Sequence, residues 1–112
     1  MLSDIERDAL EDMRDNIARA MQFVHGLDLE SFLTDIKSFY AATRCLEIIS
    51  EASRKLSPGF KERFPEIPWK DIAGSGNIYR HNYEDVLERR VWQTIHVALP
   101  PLRVLIDAEL QA

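Results

Sequence analysis

The sequence is poor in whatever staples, breaks or flattens a chain. One cysteine, Cys45, stands alone among 112 residues, so no disulfide can close within the chain. Three histidines and that single thiol are too few for the usual Cys/His structural zinc site, and no metal site is expected. Four glycines and five prolines leave little turn-forming material, and β-branched residues nowhere alternate with polar ones as they do in half-buried strands. No run of about 18 apolar residues is present, which argues against a membrane-spanning helix. The opening MLSDIERDALEDMRD is too charged for a signal peptide, so a cytoplasmic location is expected. Positive charge is scarce as well. A net charge of −5 argues against a broad phosphate-binding surface, and neither a basic amphipathic helix nor a recognition-helix pattern points to a membrane or to sequence-specific DNA binding.

What remains is a globular composition, 46% hydrophobic and 29% charged, of a length that closes around one core, residues 1–112. The acidic excess belongs to the first half. Residues 1–57 hold eleven acids and seven bases, whereas residues 69–96 hold four of each, among them Lys70, Arg80, Arg89 and Arg90. A small neutral or cationic site in the second half is therefore compatible with a phosphate ligand.

The apolar spacing predicts an all-helical chain. Ser3, with Glu6 three residues on, makes a capping box, and Ile5, Ala9, Met13, Ile17, Ala20 and Val24 follow at helical spacing up to Gly26. Asp28 is placed to cap a second helix carrying Phe32, Ile36, Phe39, Thr43, Leu46, Ser50 and Ser53. Its apolar arc is wide enough for burial on two sides, against a neighbouring helix and a partner subunit. Ser57-Pro58 opens a short connector over residues 59–64, and Pro68 opens a helix at Trp69 that runs to about His81. A last helix starts at Glu84 or Asp85 with Val86, Val91, Ile95, Val97, Leu99, Leu102, Val104 and Leu105 on its apolar side, bent by Pro100 and Pro101.

The informative stretch is Ile72–Tyr83, where four small residues, Ala73-Gly74-Ser75-Gly76, precede a cluster of Asn77, Arg80, His81 and Tyr83. Two glycines inside a helix cost about 2 kcal/mol relative to alanine, so something compensates. Either the backbone closely approaches a neighbouring helix or breaks, or a phosphate approaches it at Ser75 and Gly76. His81 is the one histidine with polar company: Asn77 lies four residues before it on the same helix face, and Arg80 is adjacent. An imidazole titrates close enough to neutrality for acid–base work and a guanidinium can hold a phosphoryl oxygen, which together are ribonuclease parts; a helix-end cap uses the same residue types. His25 before Gly26 fits a helix C-cap, and His96 between Ile95 and Val97 fits a packing position.

These segments resemble the HepT-like toxins, small helical members of the HEPN superfamily that pair with MNT-type nucleotidyltransferase antitoxins. The likeness is carried by Arg44–Ala52, by Phe64–Gly74, by His81-Asn82-Tyr83, and by Val91–Ile95 ahead of the Leu99–Leu102 bend. It implies an up-and-down bundle of four long helices and a short connector, forming a homodimer about a two-fold axis with the two catalytic segments in one cleft. It also implies a metal-independent endonuclease without cofactor, acting on RNA. The family motif is an arginine, four to six residues, a histidine, one residue and a tyrosine; His81 and Tyr83 match its last two elements. By that resemblance His81 is the acid/base group, assisting attack of a ribose 2′-hydroxyl on phosphorus or protonating the leaving oxygen. Tyr83 resembles the tyrosine to which the antitoxin transfers AMP from ATP, silencing the toxin. The motif arginine is missing: Gly76, Ser75 and Gly74 occupy the positions five to seven residues before His81. Arg80 is the candidate substitute, with Asn77 beside it. The alternative is a catalytically weak or inactive subunit that binds a nucleotide or a nucleotidyltransferase partner.

Overall fold

The computed structural model describes residues 1–76 and 86–112. In chain order the elements are α1 (Asp4–Phe23), α2 (Leu29–Leu33), α3 (Ile36–Ser53), α4 (Pro58–Glu62), α5 (Trp69–Gly74), α6 (Val86–Gln93), a π-helical turn (Thr94–Ala98) and α7 (Leu99–Gln111). The protein is an all-α helical bundle, as its composition predicts, with no strand among the described residues.

The expected capping box starts α1. The Glu6 amide donates to Ser3 Oγ at 3.0 Å, and Ser3 N donates back to Glu6 Oε1 at 3.3 Å. Glu6 Oε2 also accepts from the Ser57 amide at 3.1 Å, which ties the start of α1 to the start of α4. These bonds, that from Ser57 foremost, hold the Glu6 carboxyl below its ordinary value of 4.5. Ala9, Leu10, Met13, Ile17, Ala20 and Val24 form the buried stripe, while Ile5 ahead of them is exposed. The helix ends at Val24, and Gly26 turns the chain with a φ of 81°, a conformation that costs glycine little.

The single helix expected after Asp28 is two. Asp28 caps only α2, accepting from Ser31 N at 2.8 Å, and Asp35 caps α3, accepting from Ser38 N at 3.0 Å. The second Asp-x-x-Ser outcompetes helix continuation, because Asp35 offers its carboxylate to amides that a new helix start would otherwise leave unsatisfied. Both carboxyls are held below the usual range by their serine partners. The break turns Phe32 inward against Trp92, with ring centroids 5.3 Å apart, and leaves Ile36 exposed rather than on the core stripe. Helices α1, α2, α5 and α6 all pack on α3, so its wide apolar arc is covered largely within the chain.

Ser57 caps α4 with Pro58 in the first turn, as its sequence indicates. Arg63, just past α4, makes a two-pronged ion pair with Glu109 of α7 at 2.8 and 3.1 Å, its guanidinium lying over the Phe60 and Phe64 rings.

In the C-terminal half, Leu87, Val91, Ile95 and Leu99 are buried at a strict spacing of four. Three such steps overrun an α-helix of about 100° per residue by about 120°. The π turn at Thr94–Ala98 holds one extra residue in its turn and takes back most of that drift, which keeps Leu99, Leu102, Leu105 and Ile106 facing the core. It also places Pro100 and Pro101 in the first turn of α7, where missing amide donors cost little. The prolines therefore restart a helix whose register has already been reset. Val97 and Val104, expected on the apolar side, are exposed, each lying two residues, about 200°, beyond a buried one, Ile95 and Leu102. Core side chains such as Leu10, Ile17, Leu46, Ile49, Leu102 and Ile106 are fully buried, each worth about 1.5–3 kcal/mol.

Candidate functional site

Six residues do not sustain a helix alone, so α5 is held by what it touches. At its start, Trp69 Nε1 donates to the Phe64 carbonyl at 3.0 Å, and Ile72 is buried. At its end lies the Ala73 carbonyl, an acceptor of the kind that a helix terminus leaves without an intrahelical donor. Two α3 side chains one turn apart converge on it: Ser50 Oγ donates to it, and Arg54 Nη2 donates to it at 2.6 Å. The same Nη2 lies 3.2 Å from Ser50 Oγ. A guanidinium cation thus sits at the negative end of α5.

The four small residues divide their work. Gly76 is the close-approach residue: a Cβ there would lie 3.1 Å from Glu47 Cα and 3.1 Å from both Cβ and Oγ of Ser50. Ser75 is buried, and its hydroxyl donates to the Ile72 carbonyl at 2.7 Å. Gly74 has nothing within 4 Å of where its Cβ would stand. Of the predicted site residues, Gly76 lies against α3 and Ser75 is buried at the groove; Asn77, Arg80, His81 and Tyr83 lie outside the described residues. His25 is exposed beyond the Val24 cap. His96 is exposed too, yet packed: its ring centroid is 4.0 Å from that of Trp92, and its Nδ1 is 2.8 Å from the Trp92 carbonyl.

The open side of Gly74 is a groove of about 870 Å³. Lys70, Gly74 and Ser75 line it from α5; Arg90 and Val97 line it from α6 and the π turn. Ser75 and Arg90, which both line the groove, flank in sequence the stretch that carries His81 and Tyr83. Lys70 and Arg90 suit an anionic ligand, with Glu66 and Asp71 as opposing charges in the same groove; no histidine is among its described lining residues. Sequence reasoning missed Ser50, Arg54, Lys70 and Arg90 in these roles. Ser50 and Arg54 share a face at four-residue spacing, a usable signal; the meeting of Lys70 and Arg90 is created only by tertiary packing.

The family model described as "Ribonuclease HepT-like" matches residues 13–109. The chain belongs to the HepT-like family. A Thermococcus cleftensis relative named "Probable ribonuclease HepT" is 37% identical over 97 residues, covering 87% of this HepT-like chain and 88% of its own. A relative from Methanocaldococcus jannaschii and one from Caldanaerobacter subterraneus subsp. tengcongensis, both named as proposed RNases, are 32% and 38% identical. They cover 88% and 79% of this chain, and 90% and 79% of their own lengths. No solved structure matches. Among the described residues of this HepT-like chain, no helix is long and apolar enough to cross a membrane.

Proposed function

We propose that this chain is an RNA endonuclease, the toxin of a two-component toxin–antitoxin system, acting as a homodimer without a metal. The observation that carries the proposal is the ribonuclease family match over residues 13–109, which spans both the groove and His81-Asn82-Tyr83. His81 takes the proton of a ribose 2′-hydroxyl as that oxygen attacks the adjacent phosphorus, or gives a proton to the departing 5′-oxygen. Two copies facing each other divide these roles. A positioned group of this kind is worth about 10²–10⁴-fold.

Of the positions where the motif arginine would fall, 76 is tightly packed, a Cβ there standing 3.1 Å from Glu47 Cα, whereas 74 is open. Arg80 is the cation that serves the phosphate in its place, with Asn77 beside it. Ser75, which lines the groove, and Gly76, which packs on α3, let a phosphate approach the backbone between them. Tyr83 accepts AMP from ATP at a nucleotidyltransferase antitoxin, its phenolic oxygen bonding to the α-phosphorus as pyrophosphate leaves, which sets a phosphate and an adenosine two residues along the chain from His81 and blocks the site.

RNA cleavage in excess chelator tests the reading. The parent cuts, His81→Ala falls by about 10²-fold or more, and Arg80→Ala is strongly impaired. Full cleavage by Arg80→Ala removes its phosphate role. A mass increase equal to AMP after incubation with a nucleotidyltransferase encoded beside this gene and ATP, absent in Tyr83→Phe, tests the silencing step. The missing arginine favours one second reading, a partner-binding subunit without catalysis; it predicts a folded protein that accepts AMP or binds the nucleotidyltransferase but never cuts RNA.

A further inference from the structure

We propose that the groove between α5 and the π turn is the track for the RNA strand, with Lys70 and Arg90 as its phosphate contacts, an inference that rests on the ribonuclease reading above. At about 870 Å³ the groove falls in the range of roughly 300–1,000 Å³ typical of ligand sites. Lys70 and Arg90 are both exposed and stand on opposite walls. Neither makes a salt bridge among the described residues, although Glu66 and Asp71 line the same groove. Lysine supplies a point charge and arginine a planar fork, the usual pair of phosphate-binding chemistries. Val97, 63% exposed, lines the same groove and offers an apolar surface to a sugar or base. An acidic peptide would use the cations alone; an RNA strand also offers its sugars and bases to the exposed Val97.

Because two acids oppose two cations, the track binds weakly and depends steeply on salt. Each phosphate contact on a single strand contributes about −0.7 to the slope of log K against log salt.

The test uses the full chain carrying His81→Ala, which binds without cutting, and a short fluorescein-labelled oligouridine read by anisotropy across a salt series. Lys70→Gln and Arg90→Gln are each expected to weaken binding roughly five-fold at low salt and to shallow the slope by about 0.7. Glu66→Gln is expected to tighten binding about two-fold by removing a like charge from the track. Lys37→Gln, an exposed cation of α3 outside the groove, should bind as the parent does. Unchanged binding by both groove variants overturns the proposal, as does an equal loss in Lys37→Gln. So does a loss confined to capture of the nucleotidyltransferase, which would make the groove a protein interface. With His81 intact, both groove variants should raise KM about five-fold at unchanged kcat, since they remove binding shared by ground and transition states. If the parent never cuts RNA but binding still depends on Lys70 and Arg90, the nuclease reading fails and the track stands. If His81-dependent cleavage is indifferent to both, the track alone fails.

Discussion

Gly74 and Gly76 are two residues apart and do opposite things. Gly76 is pressed onto α3 with no room for a Cβ, whereas Gly74 borders the groove with open space where a Cβ would go. One side of this short segment is closed by Ser50 and Arg54, and the other is left open. Identical residues therefore carry different meanings, set by what faces them, and the glycine-rich look of the sequence does not distinguish the two.

The largest effect expected on that contrast is from Gly76→Ala. Its methyl would meet Glu47 Cα, a backbone atom that cannot swing aside, and overpacking of this kind costs about 1–2 kcal/mol. A fall in Tm or in the urea midpoint measures it; an unchanged midpoint would mean that α5 slides freely on α3. Arg54→Ala comes next, at about 1 kcal/mol for a charge-assisted bond at an exposed position. Ser50→Ala and Arg54→Ala together should cost less than the sum of the two singles, since both donate to the one Ala73 carbonyl. Gly74→Ala should go the other way, stabilising by about 0.5 kcal/mol because alanine restricts the unfolded chain and meets nothing in the folded one.

Acid separates the α1 cap from the Ala73 clamp. The Glu6 carboxyl is held below its ordinary 4.5, so its contribution is present above that pH and is lost as the pH falls through the lowered folded value. The Tm gap between the parent and Glu6→Gln should narrow as the pH falls below 4.5. The clamp on Ala73 contains an arginine and a serine but no carboxylate, so the Gly76→Ala penalty should persist through that window.

Features written in a few adjacent residues were legible before any coordinates. Ser3 with Glu6 and Ser57 with Pro58 announce helix starts, and close backbone approach was one of two explanations open for the glycines. The break at Asp35 was equally local, since Asp35-x-x-Ser38 repeats the Asp28-x-x-Ser31 pattern, but the apolar stripe through Ile36 masked it. The π turn was harder. Its signal is a four-residue spacing held from Leu87 to Leu99, which resembles ordinary amphipathic periodicity until the accumulated rotation is counted. The groove could not be read at all, because Lys70 and Arg90 are twenty positions apart and only the packing of α5 beside the π turn sets them on facing walls.

The surplus residue in Thr94–Ala98 also determines which changes of length the chain can absorb. Deleting one position there would restore an unbroken α-helix and swing everything downstream by about 100°, carrying Leu102, Leu105 and Ile106 off α1 while every side chain kept its identity. A one-codon deletion in that turn is thus expected to be worse than most substitutions in the same helix, whereas an added residue at the exposed Gly26 turn between α1 and α2 should pass with little consequence.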